Sequence, residues 1–281
     1  MPPNHLFIER SDLPTAVVIG AGGMSMAIAH RLGQTHRVIV ASLDPPQLKR
    51  GIGQLKEYGV ICHEHTCDIT NQHSVDDLSG FLAGIGRIDT LAHVAALSPS
   101  MAEWQAVITV NLIGAARIER AAQRFMSAGC AAVFISSLSA HSQESRPGVL
   151  DAIDEPLEAA FIERLQHAVN GPISSGSAYS LSKLGINRMV QRQTSSWGRR
   201  GARIMSLSPG LIDTPMGILE DNNGSKDAKS RLRDARPLQR DGTMPDIADA
   251  VEFLTSQRAR YITGIDLLVD GGLAAALRHS R

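Results

Sequence analysis

Short runs of β-branched and apolar residues alternate along the chain with stretches whose apolar positions recur every three or four residues. The runs predict strands at Thr15–Ile19, Arg37–Ala41, Val60–His65, Arg87–Val94, Ala131–Ile135, Ala202–Leu207 and Ile265–Val269. The helical spacing predicts helices over Met26–Leu32, Pro46–Tyr58, Val75–Leu82, Trp104–Met126, Ala178–Trp197 and Pro245–Leu254. Most runs are nearly continuous in apolar residues, as expected of strands with helices on both faces. The pattern is that of an α/β protein: a doubly wound, mainly parallel seven-stranded sheet, with ligands at the carboxyl ends of its strands.

Two segments interrupt the alternation. Residues 141–172 read as an insertion, with Leu157, Phe161, Leu165 and Val169 at helical spacing and Asp154 as a cap for one helix. Residues 215–244 are polar and carry Asn222-Asn223-Gly224, which predicts a lid over a substrate. Residues 1–13 form an N-terminal extension, and the whole of 1–281 reads as a single domain.

Composition narrows the function. The chain has 281 residues, 43% hydrophobic, with 28 basic and 28 acidic side chains, so no net field recruits nucleic acid or anionic lipid. Three cysteines do not make a disulfide framework. The opening residues lack the apolar core of a secretory signal, and no apolar run reaches membrane length, so a cytoplasmic location is expected.

Candidate chemistry begins at Gly20-x-Gly22-x-x-Ser25, after a strand and before a helix. Gly20 permits a tight turn and Gly22 lets backbone approach a pyrophosphate. Ser25 is small enough for helix–strand packing, and its hydroxyl offers a phosphate bond. Gly23 and Met24 complete the turn, where helix N–H groups face the phosphates; Met24 and Met26 also read as packing beneath the ligand. The second strand ends at Ser42, followed by Leu43, with Asp44 two residues further on. Without a carboxylate at Ser42, a 2′-phosphate meets no repulsion; NADP or NAD remain open, with the balance towards NADP. Asp68, followed by Ile69, is placed either to accept from an adenine amino group or to cap a turn.

Tyr179 and Lys183 stand four apart, hence on one helix face. An ammonium beside a phenol favours the phenolate, which makes Tyr179 a usable general acid or base. Ser137, at the end of the fifth strand, would project from the same sheet edge.

With these come Asn111 in Val-Asn-Leu-Ile-Gly, Ser208-Pro209-Gly210-x-x-x-Thr214-Pro215-Met216 and the closing Val269-Asp270-Gly271-Gly272. From about residue 15 to 272 the chain resembles the single-domain short-chain dehydrogenases/reductases, which implies a Rossmann-type NAD(P)-binding domain. The resemblance implies that Tyr179 exchanges the substrate proton and that Ser137 binds the substrate oxygen. It further implies that Lys183 holds the nicotinamide ribose and that Asn111 positions a water. Pro209, Gly210, Ile212 and Thr214 would clamp the carboxamide. Where the family carries Asn-Asn-Ala-Gly this chain has His93-Val94-Ala95-Ala96; Ala95 and Ala96 keep the close backbone approach, and the Asn side chain is lost. The 141–172 insertion resembles that of the bacterial 3α-hydroxysteroid dehydrogenase/carbonyl reductases, and its helix is expected to cover a surface other members use for oligomer contacts. A homo-oligomer, dimer or tetramer, is expected.

The reading is an NAD(P)-dependent oxidoreductase interconverting a secondary alcohol and a ketone, with an apolar or cyclic, steroid- or terpenoid-like substrate. A non-catalytic NAD(P)-binding redox sensor and a reductase of C=N or C=C bonds are the alternatives. Cys62-His63-Glu64-His65-Thr66-Cys67 is read as an edge strand with incidental polar residues in preference to a metal site. Ser139 and His141 lack the strained turn of a hydrolytic nucleophile.

Overall fold

The computed structural model describes residues 13–142, 146–213 and 226–279. The first apolar run forms β1 (Thr15–Ile19), with all five residues buried. Successive side chains leave a strand on opposite faces, so Ala16 and Val18 join one core cluster while Val17 and Ile19 join another. The same division continues through β2 (Arg37–Ser42), β4 (Ile88–His93), β5 (Met126–Ile135) and β6 (Arg203–Pro209), while β3 (Cys62–Thr66) gives only Cys62 to a core cluster.

One face is covered by α1 (Gly23–Leu32), α2 (Pro45–Glu57) and α10 (Met244–Thr255), through Ile28, Leu48, Ile52 and Val251. The other is covered by α3 (Gln72–Ile85), α5 (Ala115–Ala122) and α8 (Ser175–Gly198), through Val75, Leu78, Ile118, Ile186 and Val190. With β9 (Asp266–Val269) the strands form one seven-stranded parallel sheet in the order β3-β2-β1-β4-β5-β6-β9. The order reverses between β1 and β4, where open α/β sheets bind ligands. A two-stranded piece, β7 (Ile212–Asp213) with β8 (Gly242–Thr243), pins together the two ends of the expected lid. Within that segment, α9 covers Lys226–Asp234, and α11 (Leu273–His279) follows β9.

Several expectations are corrected. The long helix expected over Trp104–Met126 is divided into α4 (Trp104–Ile108), a π-helical stretch Thr109–Gly114 and α5. Met126 belongs to β5 and pairs with Ile88, and the register shifts before Thr90, where Gly129 takes φ +87°. The exposed Ser127, Ala128 and Gly129 carry no apolar alternation, which hid this part of the strand. β3 begins at Cys62 because the Val60 N–H closes the preceding turn onto the Leu55 carbonyl at 3.0 Å. Lying at the sheet edge, β3 is mostly exposed.

The insertion holds two helices, α6 (Pro147–Asp154) and α7 (Phe161–Val169), not one. Ala160, at φ +55°, turns the chain into α7, leaving Leu157 in the connection. Val149, Ile153, Phe161 and Leu165 bury against Val107 and Leu112 of the α4 region and Leu181 of α8. Asp154 ends α6 instead of capping a helix. Its carboxylate takes a bidentate pair from Arg188 on α8 at 2.6 and 2.7 Å, and Arg192 adds a contact at 3.2 Å. Asp154→Ala is expected to lower unfolding stability by about 2 kcal/mol in urea melts, through lost charge-assisted hydrogen bonds. Of the N-terminal extension, only Leu13 is described. Among the described residues no helix is long and apolar enough to cross a membrane.

Candidate active site

The turn after β1 is built by close approach. Gly20 has φ +117°, and a Cβ there would lie 2.8 Å from Ser25 Oγ and 3.0 Å from the Ala95 nitrogen. Its N–H donates to the Ala41 carbonyl at 2.7 Å, closing β1 onto β2. Ser25 is 3% exposed, with its hydroxyl in the space beside Gly20. Gly22 is the N-cap of α1, with no capping side chain and open space where a Cβ would stand. The first N–H groups of α1, around Gly23 and Met24, therefore face the carboxyl edge uncapped, as an anion requires. Met24 and Met26 pack on the core beneath; a Cβ on Gly51 of α2 would meet the Met26 sulfur. An open, uncapped glycine turn of this kind fits a dinucleotide phosphate.

Along the same edge, Ser42 is half-buried, Leu43 is exposed, and the Asp44 carboxylate caps α2 by accepting from the Gln47 N–H at 3.0 Å. Asp44 is thereby committed, which leaves Ser42 as the side chain at the strand end. Asp68 serves a turn: its Oδ1 accepts from the Thr70 N–H and hydroxyl at 2.8 and 2.7 Å. Asn71, not Asp68, caps α3. Ile69 is buried against Gly114. After β4, the N–H groups of Val94 and Ala95 both donate to the Ile19 carbonyl, folding half-buried Ala95 and Ala96 over Gly20.

Beyond the switch point, Ser137 follows β5, half-buried, its Oγ accepting from the Ser139 N–H at 3.2 Å. Tyr179 and Lys183 share a face of α8, with Lys183 Nζ 5.6 Å from the tyrosine ring centre. Lys183 is 3% exposed and donates to the Ile135 carbonyl at 2.9 Å. The Ser136 hydroxyl in turn donates to the Lys183 carbonyl at 2.9 Å, so α8 is bolted to the end of β5 from both sides. Burial pulls the lysine down from its ordinary value to about 7. Gly185 lets α8 approach the π-helical stretch, since a Cβ there would lie 2.7 Å from Leu112.

Asn111 sits in that stretch, fully buried. Its Oδ1 accepts from the Leu97 N–H at 2.7 Å and its Nδ2 donates to the Leu97 carbonyl at 2.9 Å. The side chain thus fixes the loop after β4. Pro209 ends β6 and Gly210 follows it; a Cβ on Gly210 would stand 2.6 Å from Asp270 Cα, so the glycine is needed for packing of two strand ends. Ile212 lies on β7, half-buried, and Thr214 lies outside the described residues. Asp270 accepts from the N–H groups of Gly272 and Ala274, with Gly271 and Gly272 both at positive φ.

One residue of this edge had no signal of its own. His93, at the end of β4, is 1% exposed, with its ring 5.3 Å from that of Phe134. Burial, reinforced by the nearby Lys183 charge, lowers its pKa to about 3. The imidazole is therefore neutral at any ordinary pH.

A family model described as short chain dehydrogenase matches residues 14–149, and one described as Enoyl-(Acyl carrier protein) reductase matches residues 165–274. The short-chain dehydrogenase/reductase bsc3 of Alternaria brassicicola is 31% identical over 94% of this chain and 96% of its own length. The chain belongs to the short-chain dehydrogenase/reductase family. Members of this family are NAD(P)-dependent oxidoreductases, and the seven-stranded Rossmann-type sheet is theirs. Among other relatives of this short-chain dehydrogenase/reductase, the 3-alpha-hydroxysteroid dehydrogenase/carbonyl reductase of Comamonas testosteroni is 28% identical over 80% of this chain and 86% of its own. A crystal structure of a variant actinorhodin polyketide ketoreductase with NADPH superposes with a TM-score of 0.74 at 22% identity, covering 94% of this chain and 98% of that one, and speaks for the fold.

Proposed function

We propose that this short-chain dehydrogenase/reductase interconverts a secondary alcohol and a ketone, with Tyr179 as the general acid or base. The observation that carries the reading is the lysine–tyrosine pair on α8, fastened to the end of β5 beside Ser137. A bound nicotinamide dinucleotide supplies or accepts the hydride. Gly20, Gly22 and the uncapped start of α1 would hold its phosphates, and Ser42, at the end of β2, would face the adenosine ribose. In ketone reduction Tyr179 gives its phenolic proton to the substrate oxygen while the Ser137 hydroxyl donates to the same oxygen. Lys183, near 7 by burial, exchanges a proton readily around neutrality and restores the one Tyr179 gives.

The substrate is proposed to be apolar or cyclic. Relatives named for such substrates support this: 3beta-hydroxysteroid dehydrogenase 1 of Eggerthella lenta, 26% identical, and a Cis-4-hydroxycyclohexanecarboxylate dehydrogenase of Sinomonas cyclohexanicum, 25% identical. A panel of steroid, terpenoid and simple cyclic alcohols, assayed with NAD and NADP by absorbance of the reduced nicotinamide, tests it. Turnover of cyclic secondary alcohols is expected; turnover of enones or imines alone would favour the second reading. That reading, a reductase of carbon–nitrogen or carbon–carbon double bonds, draws for the latter on the enoyl-reductase family model over residues 165–274.

NADP is the proposed cofactor, since no carboxylate at Ser42 repels a 2′-phosphate. Ser42→Asp is expected to move the ratio of kcat/KM for NADP over NAD towards NAD by roughly tenfold or more, from like-charge repulsion. The free, buried cysteines Cys62, Cys67 and Cys130 accord with a cytoplasmic location. We also propose a homo-oligomer in which α6 and α7, packed over α4 and α8, keep that surface out of subunit contacts. Native mass measurement showing an assembly through α4 and α8 would oppose this.

A further inference from the structure

Ser137 is held from two directions. Upstream, the Ser136 N–H donates to the Leu207 carbonyl at 2.7 Å, which carries the pairing with β6 one residue past the end of β5. The Ser136 hydroxyl fastens the same point to α8. Downstream, the chain winds into a 3₁₀ turn, Leu138–Ser142, with Ser137 in the capping position before it. There the Ala140 N–H donates to the Ser137 carbonyl at 3.0 Å, and the Ser139 N–H donates to the Ser137 hydroxyl oxygen at 3.2 Å. With that lone pair engaged by Ser139, the Ser137 O–H is directed to donate elsewhere. This is the state in which the hydroxyl can serve a substrate oxygen, and it lasts only while the turn stays wound.

A 3₁₀ run of five residues is longer than this helix type usually sustains, because its hydrogen bonds are poorly aligned. The turn therefore depends on what it is fastened to. Ala140 is buried, and the Ser142 hydroxyl donates to the Ser139 carbonyl at 2.9 Å. Between them His141 reaches out of the turn to the edge strand, with its Nε2 2.7 Å from Asp266 Oδ2. The same oxygen accepts from the Ser208 hydroxyl of β6 at 2.8 Å, and Asp266 itself pairs in register with Ser206. The anchor is thus set by the sheet.

Burial makes the contact firm. The Asp266 side chain is 8% exposed, against 28% for His141, and its Oδ1 is buried without a hydrogen-bond partner among the described residues. A carboxylate so placed costs folding free energy unless it is paired. Releasing His141 would leave the Ser208 hydroxyl to pair it.

We infer that the His141–Asp266 contact positions Ser137 for the reaction, by keeping the turn wound and the Ser139 N–H on the Ser137 oxygen. The inference rests on the alcohol–ketone reading above. His141 and Asp266 are positioning residues that act through Ser137. A donor to the substrate oxygen matters most as charge develops there, so a displaced Ser137 hydroxyl should lower kcat and leave KM unchanged.

Two measurements test this. In amide-resolved hydrogen exchange without substrate, His141→Ala is expected to speed exchange at Ser139 and Ala140 by about fivefold or more, with the α8 amides around Lys183 unchanged. Unchanged exchange at Ser139 and Ala140 overturns the inference, whatever the activity. In turnover, His141→Ala is expected to lower kcat about tenfold, with KM and dinucleotide affinity unchanged. His141→Gln, whose amide can still donate to Asp266, should recover most of that loss. In a double-mutant cycle, His141→Ala added to Ser137→Ala should cause no further loss, because the residue through which His141 acts is already gone. Equal losses in the two backgrounds, or none in either, overturn the inference; a contact serving stability alone would lower Tm and leave the cycle additive. If His141→Ala fails to fold, Asp266→Asn takes its place in both measurements. Wild-type protein that turns over no alcohol or ketone defeats the functional reading instead, and the exchange measurement still decides whether the contact holds the turn.

Discussion

Tyr179→Phe is expected to reduce alcohol or ketone turnover roughly 10³-fold, the scale of a lost general acid–base catalyst. The substitution removes one oxygen and keeps the ring, so the contacts of Tyr179 with the apolar cluster around Leu181 and Ile153 persist. Lys183 stays fixed by Ile135 and Ser136, whose bonds run to its Nζ and its backbone carbonyl. Dinucleotide affinity should therefore hold within about twofold by fluorescence titration, while kcat collapses; ΔΔG‡ would be about 4 kcal/mol. Equal losses of affinity and turnover would mean that the phenol supports binding, not proton transfer.

The second large effect is on stability. Folded His93 stays neutral down to about pH 3, whereas an unfolded histidine titrates near 6.5. Its folded pKa is depressed, so below 6.5 the unfolded chain takes a proton that the folded one refuses. Stability consequently falls with falling pH across the window from about 6.5 to about 3, by about 1.4 kcal/mol per unit. By pH 4 the contribution reaches roughly 3 kcal/mol, a sizeable share of what a domain normally has. His93→Leu removes the titrating group while keeping an apolar side chain against Phe134. Urea midpoints measured from neutral to acid pH should fall steeply for the wild type and less steeply for the variant. Parallel curves would show that the folded state accommodates the protonated imidazole.

Much of the architecture was legible because period and punctuation are local. β1 and the Gly20 turn announce themselves within a few residues, and Tyr179 and Lys183 lie on one face by spacing alone. Ser137 was readable for the same reason, as the residue at which an apolar strand ends. Other features depend on partners that local pattern does not name. Asp154 looks like a cap from its neighbours and proves to be the partner of Arg188 on another helix. Ser25 offers a hydroxyl to any reader of the turn, yet its position against Gly20 buries it. The strand from Met126 was hidden because its first residues are small or polar, with Gly129 bending the register. His93, Ser206 and Asp266 meet only through strand register, and His141 reaches Asp266 across the sheet edge. None of those pairings leaves a trace in spacing, and Ser206 and Asp266 each read as ordinary strand residues in sequence.

The central claim is that the Ser137, Tyr179 and Lys183 arrangement serves hydride transfer between nicotinamide and a carbonyl carbon. The most direct measurement mixes the protein with reduced dinucleotide carrying deuterium at the nicotinamide C4 and a panel of cyclic ketones, and weighs the products by mass spectrometry. The account predicts a secondary alcohol bearing one deuterium on the carbinol carbon, formed by the wild type and not, over the same time, by Tyr179→Phe. Deuterium found instead on a saturated carbon of an enone, or in alcohol formed equally fast by Tyr179→Phe, would contradict it.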